Sequence, residues 1–280
     1  VIDSINKVLL ETYGNPSSNH SFGRKAKTLI ENSRKIISSL FNVSSQEIIF
    51  TSGGTESDNM LLRSAVEDLN VKTIISTKIE HHAILHALDY LEKKNVSIVY
   101  LPVDKKGDFK YNDLEQALSF DDSKKLVSLM HVNNEIGNMI DLEYISKMCQ
   151  SREVLLHTDA VQSVGHYKID LNKIKVDFLS AAAHKFHGPK GVGFSFVRKN
   201  SGLNPFILGG SQERGLRAGT ESVHNIVGMS KALELAYKNL EYDVSKSNDG
   251  YSLIFSMPLY GEFLDKGVSG VEQKYSTPYK

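Results

Sequence analysis

The chain has 280 residues, and its 33 Lys and Arg balance 33 Asp and Glu to a formal charge of zero. That balance excludes a basic nucleic-acid glove or a polyanionic tail as its main business. With 40% apolar and 24% charged residues it reads as an ordinary globular chain, long enough for a sizeable core and about two domains.

A single cysteine, Cys149, excludes an internal disulfide framework and a Cys-rich metal site, and fits a reducing, cytoplasmic setting. No apolar run reaches the ~18–20 residues of a membrane helix. Val1 to Leu10 lacks the basic-then-apolar pattern of a signal peptide, and the missing initiator Met points to a segment upstream.

In chain order, Phe22, Ala26, Leu29, Ile30, Ile37 and Leu40 mark one apolar stripe, which predicts a helix from Phe22 to Phe41 after the polar loop Asn15–Asn19. Strands are then expected at Glu47–Phe50, Lys72–Ser76, Val96–Leu101, Leu126–Val132 and Val154–Thr158. Helices are expected between them at Ser57–Leu69, Ala83–Lys94, Asp113–Ser119 and Leu142–Gln150. This alternation predicts a mostly parallel sheet with helices on both faces. Asp177–Ala181 and Val192–Val197 leave no room for a helix between them, so an antiparallel pair is expected and the sheet is mixed. A long helix follows at Glu221–Asn239, and Tyr251–Phe255 reads as a possible strand.

Four places along this pattern carry chemistry. Thr51-Ser52-Gly53-Gly54-Thr55-Glu56-Ser57 lies between a strand and a helix. Its glycines can turn backbone N–H groups toward one point, which suits a phosphate; a capped turn explains it equally well, and the missing Walker lysine disfavours ATP. Asp159 ends a strand, where an open α/β sheet holds its ligand. It could grip a ring nitrogen or simply cap the next turn. Asp177 heads a strand and is discounted for that role. Lys185, after the small residues Ser180–Ala183, could act as a nucleophile above the sheet, although most turn lysines are solvated charges. Glu80-His81-His82-Ala83, with His86 an i,i+4 partner of His82, could stack an imidazole on a flat ligand or, less readily, hold a metal. Together, a phosphate cradle, a carboxylate, an imidazole and a lysine are the parts of a pyridoxal-phosphate site.

Those motifs carry a resemblance to cysteine desulfurases of the NifS and IscS kind, class V of the aminotransferase-like enzymes. It runs from about Tyr13 to Asn239 and includes Gly14-Asn15-Pro16-Ser17-Ser18, Thr51–Asn59, Glu80-His81, Met130–Gly137, His157–Gln162, Ala183-His184-Lys185 and Gly209–Thr220. It implies a fold-type I large domain over 15–235, and a small α+β domain built from 1–14 plus 236–280 and apparently incomplete. It also implies bound pyridoxal 5'-phosphate. By resemblance, Lys185 holds the cofactor as an imine, Asp159 takes the pyridine nitrogen, and His81 stacks on the ring and shuttles protons. Gly54, Thr55 and His184 reach the phosphate, Gln162 the ring hydroxyl, and Asn134 that hydroxyl or the substrate. Thr220 reaches the phosphate of a second subunit, which implies a homodimer. Where relatives often carry Ser, this chain has Ala182, so one phosphate hydroxyl is expected to be lost.

The expected reaction converts L-cysteine to L-alanine and passes sulfur through an enzyme persulfide to an acceptor or scaffold protein, as in iron–sulfur assembly. No nucleic acid, membrane or metal is expected. Runner-up readings are a selenocysteine lyase, an aminotransferase, or a non-catalytic relative. The Ser/Ala/Cys/Gly-rich loop that bears the attacking cysteine is not visible, nor is a carboxylate-binding arginine in the tail. Cys149 sits in a helix and reads as structural. Lys266–Gly270 resembles the lead-in to the cysteine loop, so a discontinuity is expected between about Tyr242 and Tyr275.

Overall fold

The computed structural model describes the backbone of residues 1–246 and the side chains of residues 1–240. Val1–Lys238 form one compact unit, and Asn239–Lys280 fall in a second, of which the described part is the end of one helix. The expected Tyr251–Phe255 strand and the discontinuity after Tyr242 lie wholly or mainly outside the described residues.

Seven strands form the sheet: β1 (Ile48–Thr51), β2 (Thr73–Thr77), β3 (Ser97–Leu101), β4 (Lys125–Ser128), β5 (Leu155–Asp159), β6 (Phe178–Ala182) and β7 (Gly193–Val197). Their order is β1-β7-β6-β5-β4-β2-β3. Strand β7 is antiparallel to both neighbours and every other pairing is parallel, so the sheet is mixed as the short β6–β7 return requires.

Alternation along each strand sends side chains to two separate cores. Ile48, Phe50, Ile75, Val127 and Leu179 enter one core with α2 (Ser21–Leu40), α5 (Tyr111–Ser119), α6 (Leu142–Gln150) and α7 (Val223–Lys246). Ile49, Ile74, Leu126 and Phe178 enter the other with α3 (Gly54–Glu67) and α4 (His82–Glu92). Three layers result, with the sheet in the middle. Helix α1 (Ile2–Glu11) was not anticipated from the sequence; of its residues only Val8 is buried, so its apolar signal is thin.

Two boundaries differ from expectation where the site forms. Helix α3 begins at Gly54 rather than Ser57, because the glycine loop is itself the helix's first turn. Gly53 at φ 151° is its N-cap, and the Glu56 carboxylate accepts from Ser52 N at 2.9 Å. Strand β4 ends at Ser128 rather than Val132. Leu129 N and His131 N still reach the carbonyls of His157 (3.2 Å) and Asp159 (2.9 Å), but the chain then turns over the strand ends.

Cys149 is 1% exposed within the α6 core, and burial pushes its thiol up to about 12. At pH 8 in native protein it should react with a thiol reagent about 10³-fold more slowly than a free cysteine. Full reactivity should return on denaturation, a difference that a stopped-flow thiol titration measures directly.

Candidate active site

Parallel strands place their carboxyl ends on one side of the sheet, and the loops leaving β1, β2, β4, β5 and β6 converge there. They enclose a cleft of about 560 Å³. Its walls come from Gly54, Thr55 and Asp58 of α3; His81 before α4; Met130 and Asn134 after β4; Asp159, Val161 and Gln162 at the end of β5; and Ala182, His184 and Lys185 after β6.

Each wall has a local cause. At Gly54 a Cβ would lie 2.7 Å from Val161 Cγ2, so only glycine lets α3 start this close to the β5 turn and leaves its N–H groups facing the cleft. Asp159 Oδ1 accepts from Val161 N at 2.9 Å, which fixes the carboxylate and starts the turn over 161–166. The carboxylate thus anchors the turn and also lines the cleft. His81 is the N-cap of α4, its Nδ1 accepting from Ala83 N at 3.1 Å, so the ring is held by one nitrogen and presents the other. Lys185 lies in a short 3-10 turn, Ala183–Phe186, and its carbonyl is 2.9 Å from His166 Nε2.

The electrostatics are unusual for so many acids. Asp159, Asp58 and Glu80 are 5%, 1% and 6% exposed. Burial pushes Asp159 up to about 6, against the Val161 N–H and the positive charge of Lys185. Burial and the nearby Asp159 hold Asp58 well above the usual carboxylate range. Beneath them His157 is fully buried, held near 3 by burial and therefore neutral. Its Nδ1 is 2.9 Å from Ser128 Oγ, and its Nε2 is 3.2 Å from Ser180 Oγ. Loss of hydration, then the charges of His82 and Lys185, lowers the His81 value; His184 is lowered by the same loss and by Lys185 and Lys190. Both imidazoles are thus biased to the neutral form beside a cationic lysine.

Eight of the nine residues singled out from the sequence, all but Thr220, line this one cleft. Thr220 lies in a neighbouring cleft with Ser52, Gly191, Glu213 and Arg217. Its segment is pinned by Arg34–Glu213 (2.7 Å) and by Arg217–Glu56 (2.7 Å). Asp177 is remote from the site and accepts from Leu156 N at the opening of β6. Sequence reasoning missed Asp58, Glu80, Asn133 and His157. Asp58 stands four residues after Gly54, one helical turn along the same face, and that spacing was the available signal.

His82 and His86 lie with ring centroids 5.3 Å apart and planes tilted by 35°, and His81 is 6.2 Å from His82. Among the described residues no three His, Cys, Asp or Glu side chains form a group able to hold a metal ion. No helix among them is long and apolar enough to cross a membrane.

The donor set fits a flat, phosphorylated pyridine. Backbone amides and hydroxyls at the α3 start suit an anionic group, a buried carboxylate suits a ring N–H⁺, and the Lys185 amine lines the same cleft. Asp58 Oδ1, buried with no hydrogen-bond partner among the described residues, shows that polar capacity remains under the cleft floor. Sheet order and strand-end cleft together define the fold of the pyridoxal-phosphate-dependent transferases.

The comparisons agree: the class-V aminotransferase family matches residues 1–250, and the chain belongs to that family. It is 46% identical over 248 residues to the cysteine desulfurase IscS of Dictyoglomus turgidum, covering 88% of this chain and 62% of that protein. To the cysteine desulfurase IscS of Clostridium botulinum (strain Kyoto) it is 42% identical with the same coverage. Among solved structures, a NifS-like protein superposes with a TM-score of 0.83 at 41% identity, covering 86% of this chain and 67% of that one. A structure titled SspA in complex with cysteine superposes at 0.79 with 32% identity, covering 88% and 73%. The chain spans about three fifths of the length of the curated relatives it matches.

Proposed function

We propose that this chain carries the cofactor-binding part of a pyridoxal-phosphate-dependent cysteine desulfurase. The reading divides the protein into a large domain over 15–235 and a small domain from 1–14 plus 236–280. The observation that carries it is the convergence of Lys185, Asp159 and His81 on one cleft with the Gly54–Thr55 helix start. The net reaction is L-cysteine plus an enzyme thiol giving L-alanine plus an enzyme persulfide. When bound, pyridoxal phosphate supplies an electron sink for the substrate carbon.

The chain's own residues supply the rest. Lys185 Nζ would be the covalent anchor of the cofactor and, when free, an acid–base group beside it. Asp159 holds a proton on the ring nitrogen: its ionised form is costly while buried, and a cationic N–H opposite repays that cost. His81, whose Nδ1 accepts the Ala83 N–H and whose neutral ring therefore carries its proton on Nε2, would stack on the ring and offer that Nε2–H to a proton shuttle. Gly54, Thr55 and His184 would hold the phosphate, Gln162 the ring hydroxyl, and Asn134 that hydroxyl or the substrate. Ala182 contributes no hydroxyl, so the phosphate relies on the other donors.

A homodimer completed through Thr220, a sulfur-accepting or scaffold protein of iron–sulfur assembly, and a cytoplasmic location belong to the same proposal. The test is the full-length protein with L-cysteine and reductant, which should yield L-alanine and sulfide in equal amounts. Production of neither, by protein with bound cofactor, would overturn the reading. Asp159→Asn should bind cofactor yet lose on the order of 10²–10⁴-fold in alanine formation, because the amide cannot balance a ring cation.

A further inference from the structure

Two adjoining strand-end segments border the cleft, one after β2 carrying His81 and one after β4 carrying Asn134. The β2–β4 ladder ends at Ile75↔Val127, so no sheet pairing between these two strands fixes their spacing further on. Two buried side chains take over. From the first segment, Glu80 Oε1 accepts from Met130 N at 3.0 Å and from Thr77 Oγ1 at 3.2 Å. From the second, Asn133 Nδ2 donates to Ile79 O at 2.7 Å, while its Oδ1 accepts from Glu135 N (2.8 Å) and Ile136 N (3.0 Å). Each reaches the other segment's backbone, and each sits one residue before a cleft residue. Both are almost fully buried.

We propose that Glu80 and Asn133 form a reciprocal clamp that sets the relative placement of His81 and Asn134 in the cleft, which makes Glu80 and Asn133 positioning residues. The role rests on the reading of the cleft as a cofactor site. Glu80 also has a distinctive proton. Its Oε2 is buried with no hydrogen-bond partner among the described residues, beside a small cavity that it shares with Thr77, Tyr111 and Asn138. Burial, and the nearby Asp159, push the carboxyl up to about 8 against the Met130 N–H. The groups facing it are Asp159 from β5 and Asp58 from α3, with Asp108 and Tyr111 across the cavity. An unfolded Glu80 ionises from about 4.5 upward while the folded one keeps its proton to about 8, so wild-type stability falls across that window. Glutamine keeps the acceptor and carries no such proton.

The experiment uses full-length protein stripped of cofactor and titrated with pyridoxal phosphate, comparing wild type, Glu80→Gln, Glu80→Ala and Asn133→Ala. Lys185→Ala serves as a control. Readouts are cofactor affinity, circular dichroism of the bound chromophore, amide exchange at Met130, and thermal midpoint against pH. Either alanine variant should weaken cofactor about tenfold and change the chromophore signal, as one lost positioning hydrogen bond would. Glu80→Gln should restore both, and its midpoint should gain on wild type between pH 5 and pH 8. Met130 amide protection should fall in Glu80→Ala alone. Folded alanine variants with wild-type affinity and chromophore signal would overturn the clamp. If Glu80→Ala does not fold, Asn133→Ala and the Glu80→Gln pH comparison decide by the same criteria. A wild type that binds no pyridoxal phosphate would overturn the cofactor reading and this role with it, and is recognisable because the Lys185→Ala control then looks the same.

Discussion

Lys185→Ala should abolish the lysine-bound chromophore and lower alanine formation by at least about 10³-fold. The proposed role is double: the amine anchors the cofactor, and it serves as an acid–base group whose contribution alone is ~10²–10⁴-fold. The protein should still fold. Lys185 is half-buried at the cleft, its neighbour Phe186 carries the core packing, and the turn is held by backbone and His166 contacts rather than by the ammonium. A change of about 0.5–1 kcal/mol in stability is expected, within the range of substitutions away from core features. Absorbance spectra and turnover measured together check it. A folded variant that keeps the chromophore would move the anchoring role to another amine.

The largest effect on stability is expected far from Lys185, at Glu213. Its carboxylate meets Arg34 Nη1 at 2.7 Å and Nη2 at 2.9 Å and accepts from Phe50 N at 2.7 Å, with both side chains almost fully buried. Arg34 also donates to Ile48 O at 2.6 Å and lies over the Phe50 ring at 4.4 Å. Helix α2, strand β1 and the segment leading to Thr220 thus meet at one ion pair. Glu213→Ala leaves the Phe50 N–H without its acceptor and the buried guanidinium with only the part-exposed Glu31, at 3.2 Å, as counter-charge, so a loss of about 3 kcal/mol is expected. Replacing Arg34 and Glu213 together by Met and Leu should cost less than Glu213→Ala alone, because no unpaired charge stays buried. Urea unfolding, read from the midpoint at constant slope, separates the two. A Glu213→Ala loss below about 1 kcal/mol would show that water reaches the pair.

How much was legible varied with how local the cause was. Helix α6 stood out over its full length, because Asp141 caps Tyr144 N and the apolar steps Leu142, Ile145 and Cys149 are self-contained. The β6–β7 reversal followed from chain length alone. The end of β4 did not, because Leu129–Val132 is as apolar as a strand and still bonds to β5, while on its β2 side the ladder stops at Val127 and the Glu80 side chain takes the Met130 N–H instead. Lys185 and Asp159 were found as chemistry in loops, whereas Asp58 and His157 look like any polar residues in a helix and a strand. Their meaning lies in being buried side by side.

Period, cap and loop residues act over a few neighbours along the chain, so the layers, the mixed sheet and most of the cleft's reactive groups could be read from amino-acid order. Convergence and protonation act through space. Which strand ends adjoin, that Thr220 sits in a different cleft, and that three carboxyl groups are buried near one another, where burial lifts Asp159 to about 6 and Glu80 to about 8, were decided by the folded packing. The cost of ionising a carboxyl depends on the dielectric and charges that other segments bring to it, and no stretch of sequence contains those.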